Sequence, residues 1–98
     1  MLVEPIKINI IQKLSPSGFN KVWYKFKFML FENRIEYFNL KSDLSIPGNI
    51  IPIEYITNTI INNNKLTLVI NNTHNFELQF DDVITCLEWK NTIQNLNS

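Results

Sequence analysis

Lysine and aromatic side chains alternate in one segment of the chain, KVWYKFKF, which begins at Lys21. An ammonium group forms charge-assisted hydrogen bonds with phosphate oxygens, and an aromatic ring suits the boundary between apolar lipid and water. Phe19 precedes the segment at the tip of a turn cluster, where it could enter a lipid surface. The spacing therefore predicts a basic-aromatic patch in which Lys21, Lys25 and Lys27 bind anions and Trp23 and Phe19 contact a membrane.

The charge is distributed unevenly along the chain. Nine basic and nine acidic residues give a net charge of zero, yet residues 7–27 hold five lysines and no acid. Residues 28–98 hold four basic and eight acidic side chains. A basic end attracts anions, above all an anionic membrane surface. The alternative interpretation is that these lysines are solvated strand residues and that Phe19 caps the core. The zero net charge argues against nucleic acid as a partner.

The residue types that catalysis and metal binding need are scarce. Cys86 is the single cysteine, His74 is the single histidine, and the chain has two glycines. One cysteine excludes a cysteine-based zinc cluster, and no thiol or carboxylate lies at a telling spacing from His74 for nucleophilic catalysis. We find no glycine loop that could cradle phosphate. The paired acids Asp81 and Asp82 are explained as the cap of a helix. We therefore expect no enzyme activity, no cofactor and no metal site.

The apolar pattern predicts seven strands and then one helix, in a single domain that covers residues 1–98. Alternation and turn residues place the strands at about 6–14, 21–31, 34–39, 50–53, 57–61, 65–71 and 75–80. Apolar residues then recur at three- and four-residue steps, which predicts a helix over about 82–96. Short strands in up-and-down order predict a mainly β (α+β) fold. This is a bent antiparallel barrel or sandwich of two near-orthogonal sheets, capped at its open end by the C-terminal helix.

The first two strands have a predicted inward face. Ile6, Ile8 and Ile10 alternate with Lys7 and Asn9, which predicts a half-buried strand that ends before the turn cluster Ser15-Pro16-Ser17-Gly18. In the second strand the more apolar set is the better core face. That set is Tyr24, Phe26, Phe28 and Leu30, and the opposite face then holds Trp23, Lys25, Lys27 and Met29.

These elements together resemble a pleckstrin-homology (PH) domain. Phe28-Met29-Leu30 and the residues after it are similar to the family's hairpin of the form FxLxxNxLxYF; the matching later positions are Asn33, Ile35, Tyr37 and Phe38. The stretch GNIIPIE from Gly48 is similar to the family's fourth strand. Trp89, with Ile93 four residues on, is similar to the signature of the C-terminal helix. The resemblance covers nearly the whole chain in the right order.

The resemblance implies a phosphoinositide headgroup site at the open end of the domain. Lys13 matches the lysine near the end of the first strand, Lys21 a common loop lysine, and Tyr37 the tyrosine of the third strand. The family's basic-x-Arg pair falls on Tyr24 and Phe26, which carry no charge. Lys25 and Lys27 lie one residue away and should face outward, because a shift of one residue moves a side chain across the sheet. A bulge before Phe28 would be needed to turn them into the pocket.

Two functions remain open on this sequence. The first is a membrane-targeting module that binds anionic phospholipid or phosphoinositide headgroups weakly and in a salt-sensitive way. The second is a PH-like scaffold that has lost phosphoinositide binding and binds a protein partner, beside the edge of the fifth strand or along the helix. The N-terminal sequence MLVEP does not read as a signal peptide. We therefore expect a cytoplasmic protein that becomes peripheral on the inner face of a membrane when it binds lipid.

Overall fold

The computed structural model describes residues 3–40 and 49–98. Seven antiparallel strands and one C-terminal helix follow one another along the chain. They are β1 (Lys7–Ser17), β2 (Asn20–Leu30), β3 (Arg34–Asn39), β4 (Asn49–Pro52), β5 (Ile56–Asn62), β6 (Lys65–Ile70), β7 (His74–Gln79) and the helix α1 (Val83–Leu96). The predicted link through Pro47 and Gly48 lies outside the described residues.

The strands form one unclosed sheet in the order β4-β3-β2-β1-β7-β6-β5. The two halves of the sheet meet where β1 pairs with β7 through Gln12 and Lys13 alone, at Gln79 and Leu78. The sheet folds over at this short junction, and α1 covers the core between the halves. The predicted fold class is confirmed: this is a bent β-sandwich capped by one helix, with β4 and β5 as its edge strands.

The core is centred on residues from both halves and from α1. Trp89 is fully buried, and its indole Nε1 donates a hydrogen bond to Asn9 Oδ1 over 2.8 Å. The helix begins after Asp82, whose carboxylate accepts from the backbone N–H of Thr85 over 2.7 Å. The other core residues are Ile11, Phe28, Leu30, Ile35, Ile51, Ile53, Ile56, Leu66, Leu68, Leu78, Phe80, Cys86 and Ile93.

The predicted burial of Ile6, Ile8 and Ile10 is wrong. These side chains are 49%, 51% and 55% exposed. The register explains the inversion, because Asn9 pairs with the buried Phe28 and directly opposed residues share one face of a sheet. The polar side chains of β1 can face inward because α1 supplies partners for them, namely Trp89 for Asn9 and Glu88 for Lys7.

The predicted end of the first strand is also too early. β1 continues to Ser17, and Ser15, Pro16 and Ser17 pair with β2 instead of forming a turn. The reversal takes place at Gly18 and Phe19, with Gly18 at φ +62°. Glycine adopts this left-handed conformation without a steric penalty. The hairpin is therefore longer than expected and carries Phe19 at its tip.

Within residues 3–40 and 49–98, no helix has the length and apolarity that crossing a bilayer would take. The three residues Ile53–Tyr55, which the sequence pattern assigned partly to the fourth strand, form a short 3-10 turn. Here the Ile53 N–H donates to the carbonyl of Asn33 over 2.9 Å, which ties this turn to the one before β3.

Candidate anion-binding surface

The outer side of the β1–β2 hairpin holds the lysines that the sequence singled out. Lys21, Trp23, Lys25 and Lys27 alternate with inward residues of β2, and we call these four side chains the outer hairpin face. The pairing of β1 with β2 runs in unbroken register from Lys7 opposite Leu30 to Ser17 opposite Asn20. Because nothing shifts this register, Lys25 and Lys27 stay on the face opposite to the buried Phe28.

A fourth lysine, which sequence reasoning missed, completes this surface. Lys65 Nζ lies 5.9 Å from the centroid of the Trp23 ring, a cation–π contact. A two-residue turn between β5 and β6 positions it, with Asn63 at φ 61°. Asn64 anchors the turn, since its Nδ2 donates to the carbonyl of Phe80 over 2.7 Å. In the sequence Lys65 lies 42 positions from Trp23, so only the strand order could have revealed the contact.

The tip of the hairpin is apolar. The Phe19 side chain is fully exposed and touches no core residue. The alternative in which Phe19 caps the core therefore does not occur in this structure. An exposed phenylalanine beside several lysines combines an apolar anchor with a cationic surround.

The cations of the outer hairpin face are not neutralised within the described part of the chain. There the ion pairs are Lys7 with Glu88 at 3.3 Å and Arg34 with Glu36 at 2.7 Å. Neither involves a lysine of the outer hairpin face or Lys65. This surface can therefore attract an anion without first breaking an internal ion pair.

The inner side of the same hairpin is aromatic rather than basic. A cavity of about 600 Å³ opens between β2 and the end of β3, lined by Ser15, Tyr24, Lys25, Phe26, Asn39 and Leu40. Tyr24 and Phe26 occupy the positions where the family carries its basic-x-Arg pair. Phe26 packs against the core, with its ring centroid 5.5 Å from that of Tyr37. Lys25 is the one cation among the lining residues.

Lys13 and Tyr37 also lie on the inner side, and both contact the Phe76 ring. The Lys13 Nζ lies 4.8 Å from the Phe76 centroid and donates to Ser15 Oγ over 3.1 Å. Partial burial lowers the pKa of Lys13. Tyr37 stacks on Phe28 with centroids 5.0 Å apart, and burial raises the pKa of its hydroxyl. The structure thus brings Lys13 and Tyr37 near each other, but within an aromatic cluster and away from the outer lysines.

Groups with catalytic or metal-binding potential are dispersed. Cys86 is fully buried, and this burial, with the nearby Asp82 carboxylate, raises the pKa of its thiol. His74 is exposed at the start of β7. Across the two described ranges, no three His, Cys, Asp or Glu side chains cluster as metal ligands would.

Comparison with known proteins identifies the fold through structure rather than sequence. No family model matches the sequence, and no curated protein matches it either. The N-terminal PH domain of human ARAP2 superposes with a TM-score of 0.79 at 22% identity, over 93% of this chain and 77% of that one. The C-terminal PH domain of human pleckstrin superposes at 0.78 and 19% identity, over 97% and 81% of the two chains.

A third PH domain, from Slm1, was solved in complex with inositol 4-phosphate. It superposes with a TM-score of 0.80 at 20% identity, over 97% of this chain and 98% of that one. The chain therefore has the fold of a pleckstrin-homology domain, as its sequence motifs predicted. Phe28, Trp89 and Ile93, the residues matched to the family signature, all lie fully buried in the core.

Proposed function

We propose that this domain is a non-enzymatic membrane-targeting module that binds anionic phospholipid or phosphoinositide headgroups through its outer hairpin face. The observation that carries the proposal is that Lys21, Lys25 and Lys27 share the outer face of β2 with Trp23, over whose ring Lys65 lies. None of the four has an acidic partner among the described residues. The exposed Phe19 at the hairpin tip supplies the apolar contact that enters the lipid. A PH domain of the same fold, from Slm1, was solved in complex with inositol 4-phosphate, and this supports a phosphate ligand.

The expected binding is weak and sensitive to salt. A lysine near an anionic membrane contributes about 1 kcal/mol, so four of them contribute about 4 kcal/mol, which corresponds to a dissociation constant near 1 mM before Phe19 adds to it. Salt screens such contacts over about 8 Å at physiological ionic strength. Anionic lipids are found in the cytoplasmic leaflet of cell membranes. The protein is therefore expected in the cytoplasm and, when it binds lipid, on the inner face of a membrane.

The competing form of this proposal uses the inner pocket. There Lys13 and Tyr37 would hold a phosphoinositide headgroup, with Lys25 at the rim of the cavity. Two observations favour the outer face. Lys13 is partly buried and already bonded to Ser15, and the two positions of the missing basic pair hold Tyr24 and Phe26.

Vesicle co-sedimentation tests the proposal and separates the two sites. Vesicles of neutral lipid, of neutral lipid with phosphatidylserine, and of neutral lipid with phosphoinositide are compared at low and physiological salt. The variants are Lys25→Glu/Lys27→Glu for the outer face and Lys13→Glu for the inner pocket. Lys90→Glu, a charge reversal on α1, is the matched control.

We expect binding to both kinds of anionic vesicle that falls with salt and is lost in Lys25→Glu/Lys27→Glu, while Lys13→Glu and Lys90→Glu bind like the parent. Binding that is selective for phosphoinositide and lost in Lys13→Glu would move the site to the inner pocket. No binding to any vesicle would contradict the membrane-targeting function.

The second candidate function, a protein-interaction scaffold, is favoured by a groove between β5 and α1. Its cavity measures about 430 Å³ and is lined by Ile56, Thr57, Asn58, Thr59, Ile93, Gln94 and Asn97. Since β5 is an edge strand, an extended peptide could add to it and contact α1. Replacing Thr59 with proline removes one N–H from β5. A partner that binds the Thr59→Pro variant unchanged would contradict strand addition there.

A further inference from the structure

The outward positions of β1 carry isoleucines that the fold leaves uncovered. Ile8 and Ile10 are 51% and 55% exposed although they lie in the middle of the sheet, away from its edges. Ile8 lies opposite Met29, and Ile10 lies opposite Lys27, which in turn lies opposite Phe38. We call Ile8, Ile10, Met29 and Phe38 the isoleucine face.

An exposed apolar sheet face of this kind normally has a cover. A sheet buries its apolar face against a second layer, and α1 already serves the inner side of this sheet. The isoleucine face lies on the opposite side, where no described element packs. Contiguous apolar surface rimmed by charge is typical of an interaction site.

We propose that the isoleucine face docks an amphipathic helix from a protein partner, with an apolar stripe for Ile8 and Ile10 and a carboxylate for Lys27. The charges next to the face determine this chemistry. Lys27 lies within the face and has no ion pair among the described residues, while Glu36, the nearest acid on the same side, is paired with Arg34. The face therefore presents apolar side chains and an unneutralised cation, which an acidic amphipathic helix complements.

The strand geometry separates Ile8 and Ile10 from the hairpin tip that holds Phe19, although Lys27 belongs both to the outer hairpin face and to the surroundings of the isoleucine face. Ile10 lies eight positions before the turn at Gly18, which is about 26 Å at the rise of an extended strand. A membrane that takes up Phe19 end-on is therefore far from Ile10. Lipid can therefore contact Phe19, Lys21 and Lys25 near the tip while a protein partner contacts Lys27 at the far end of the hairpin.

A second copy of this chain is a poorer occupant. In a two-fold interface the same patch lies on both sides, so Lys27 of one copy would approach the isoleucine face of the other copy without meeting a free carboxylate among the described residues. Like charges placed together across an interface oppose association. A partner with acidic residues beside an apolar stripe avoids this repulsion.

The test uses a synthetic peptide of about 18 residues, long enough to form a helix. Its leucines follow the i, i+3, i+4, i+7 pattern and are flanked by glutamates; a second peptide has the same leucines flanked by lysines. Binding is followed by peptide fluorescence anisotropy and by shifts of the backbone amide NMR signals of the domain. The variants are Ile8→Thr/Ile10→Thr and Lys27→Glu. Ile60→Thr on β5, where Ile60 is 50% exposed, is the matched control.

We expect the glutamate peptide to bind with amide shifts confined to β1, β2 and β3, and to bind at least tenfold more weakly to Ile8→Thr/Ile10→Thr. Lys27→Glu should reverse the preference, so that the lysine peptide binds better. Ile60→Thr should behave like the parent, and the thermal melting of each variant confirms that it is folded.

Three results would overturn the proposal. The first is equal binding of the two peptides, or amide shifts located elsewhere. The second is a concentration-dependent dimer that Ile8→Thr/Ile10→Thr abolishes, which would make a second copy the occupant. The third is loss of vesicle binding in Ile8→Thr/Ile10→Thr, which would make the face part of the membrane contact. The peptide assay contains no lipid, so its failure is distinct from failure of the membrane-targeting function.

Discussion

On the inner face of the β1–β2 hairpin, Phe26 and Phe28 pack into a cluster of rings with Tyr37 and Phe76, and Lys13 lies over that cluster. On the outer face, Lys25 and Lys27 form no ion pair with any described residue. The Trp23 ring has a cation–π contact with Lys65, which is distant in the sequence. The two faces belong to the same strands and differ only in the parity of the residue number.

The PH architecture is kept here although the lysines of β2 lie on the outer side of the sheet. The positions matched to the pocket cations of the family hold aromatic residues here: Phe26 packs against the core, and Tyr24 is 42% exposed. The cations occur one residue away, on the solvent side. Inner-face substitutions should therefore act mainly on stability, and outer-face substitutions mainly on binding.

Removing an inner ring should have the largest effect on stability. Phe28 is fully buried, so Phe28→Ala should lower the free energy of unfolding by about 3–5 kcal/mol, as large-to-small changes in a core do. Phe38→Ala, on the outer side of β3, should cost about 1 kcal/mol or less, in the usual range for a partly exposed position. Urea unfolding of both variants measures the difference. Equal losses would mean that the two faces are not distinct in packing.

Breaking the inward polar contact of β1 should have the next largest effect. Asn9→Leu leaves the Trp89 indole N–H buried without its acceptor, which should cost about 1–3 kcal/mol. Asn9→Asp keeps an acceptor oxygen at this position and should lose less. If Asn9→Leu is as stable as the parent in urea unfolding, the hydrogen bond from Trp89 to Asn9 contributes nothing to the free energy of unfolding.

The succession of seven strands along the chain and the position of α1 could be predicted from the sequence because their signals are local. Alternation in β2 identified Phe28 and Leu30 as buried, and the three- and four-residue steps after Asp82 identified the helix. The assignment of Ile8 to the core failed for a physical reason. The alternation in β1 is compatible with burial of either side of the strand, the isoleucine side or the side that holds Lys7 and Asn9. The hydrogen-bond partners on α1 determine that Lys7 and Asn9 face inward.

Part of the candidate site could also be predicted, because strand periodicity is a local signal. Lys21, Lys25 and Lys27 share one face by strand periodicity alone, so their outward position follows from the burial of Phe28. Lys65 could not be assigned to this surface from the sequence. Its approach to Trp23 depends on the junction of β1 with β7 and on the turn at Asn63, which no short-range pattern encodes.

Reversing the charge of Lys65 should have a moderate effect that sharpens the description of the outer face. Lys65→Glu removes one attractive charge and adds a repulsive one, which together are worth about 2 kcal/mol near an anionic surface and weaken vesicle binding by roughly 30-fold. Lys90→Glu on α1 carries the same change of charge and should leave vesicle binding unchanged. If the two variants bind alike in co-sedimentation, net charge rather than the cluster around Trp23 governs the interaction.

Removing the Tyr37 hydroxyl should have the smallest effect on stability. It also tests whether the inner face takes part in binding. Burial raises the pKa of Tyr37 above its ordinary value of 10.0, so the folded state keeps the proton in a range where the unfolded chain has lost it. Stability is then fully present below pH 10.0 and is lost as the pH rises from there through the raised pKa. Tyr37→Phe should lose less stability than the parent between pH 9 and pH 11, on the order of 1 kcal/mol or less. Urea unfolding across this range measures it. The change in stability from pH 8 is taken for each protein, and the parent's change is subtracted from that of Tyr37→Phe, so that titration of the lysines cancels.

Vesicle binding by Tyr37→Phe at neutral pH should equal that of the parent, because the hydroxyl lies in the aromatic cluster. A loss of phosphoinositide binding in Tyr37→Phe would instead mean that the inner face holds the headgroup.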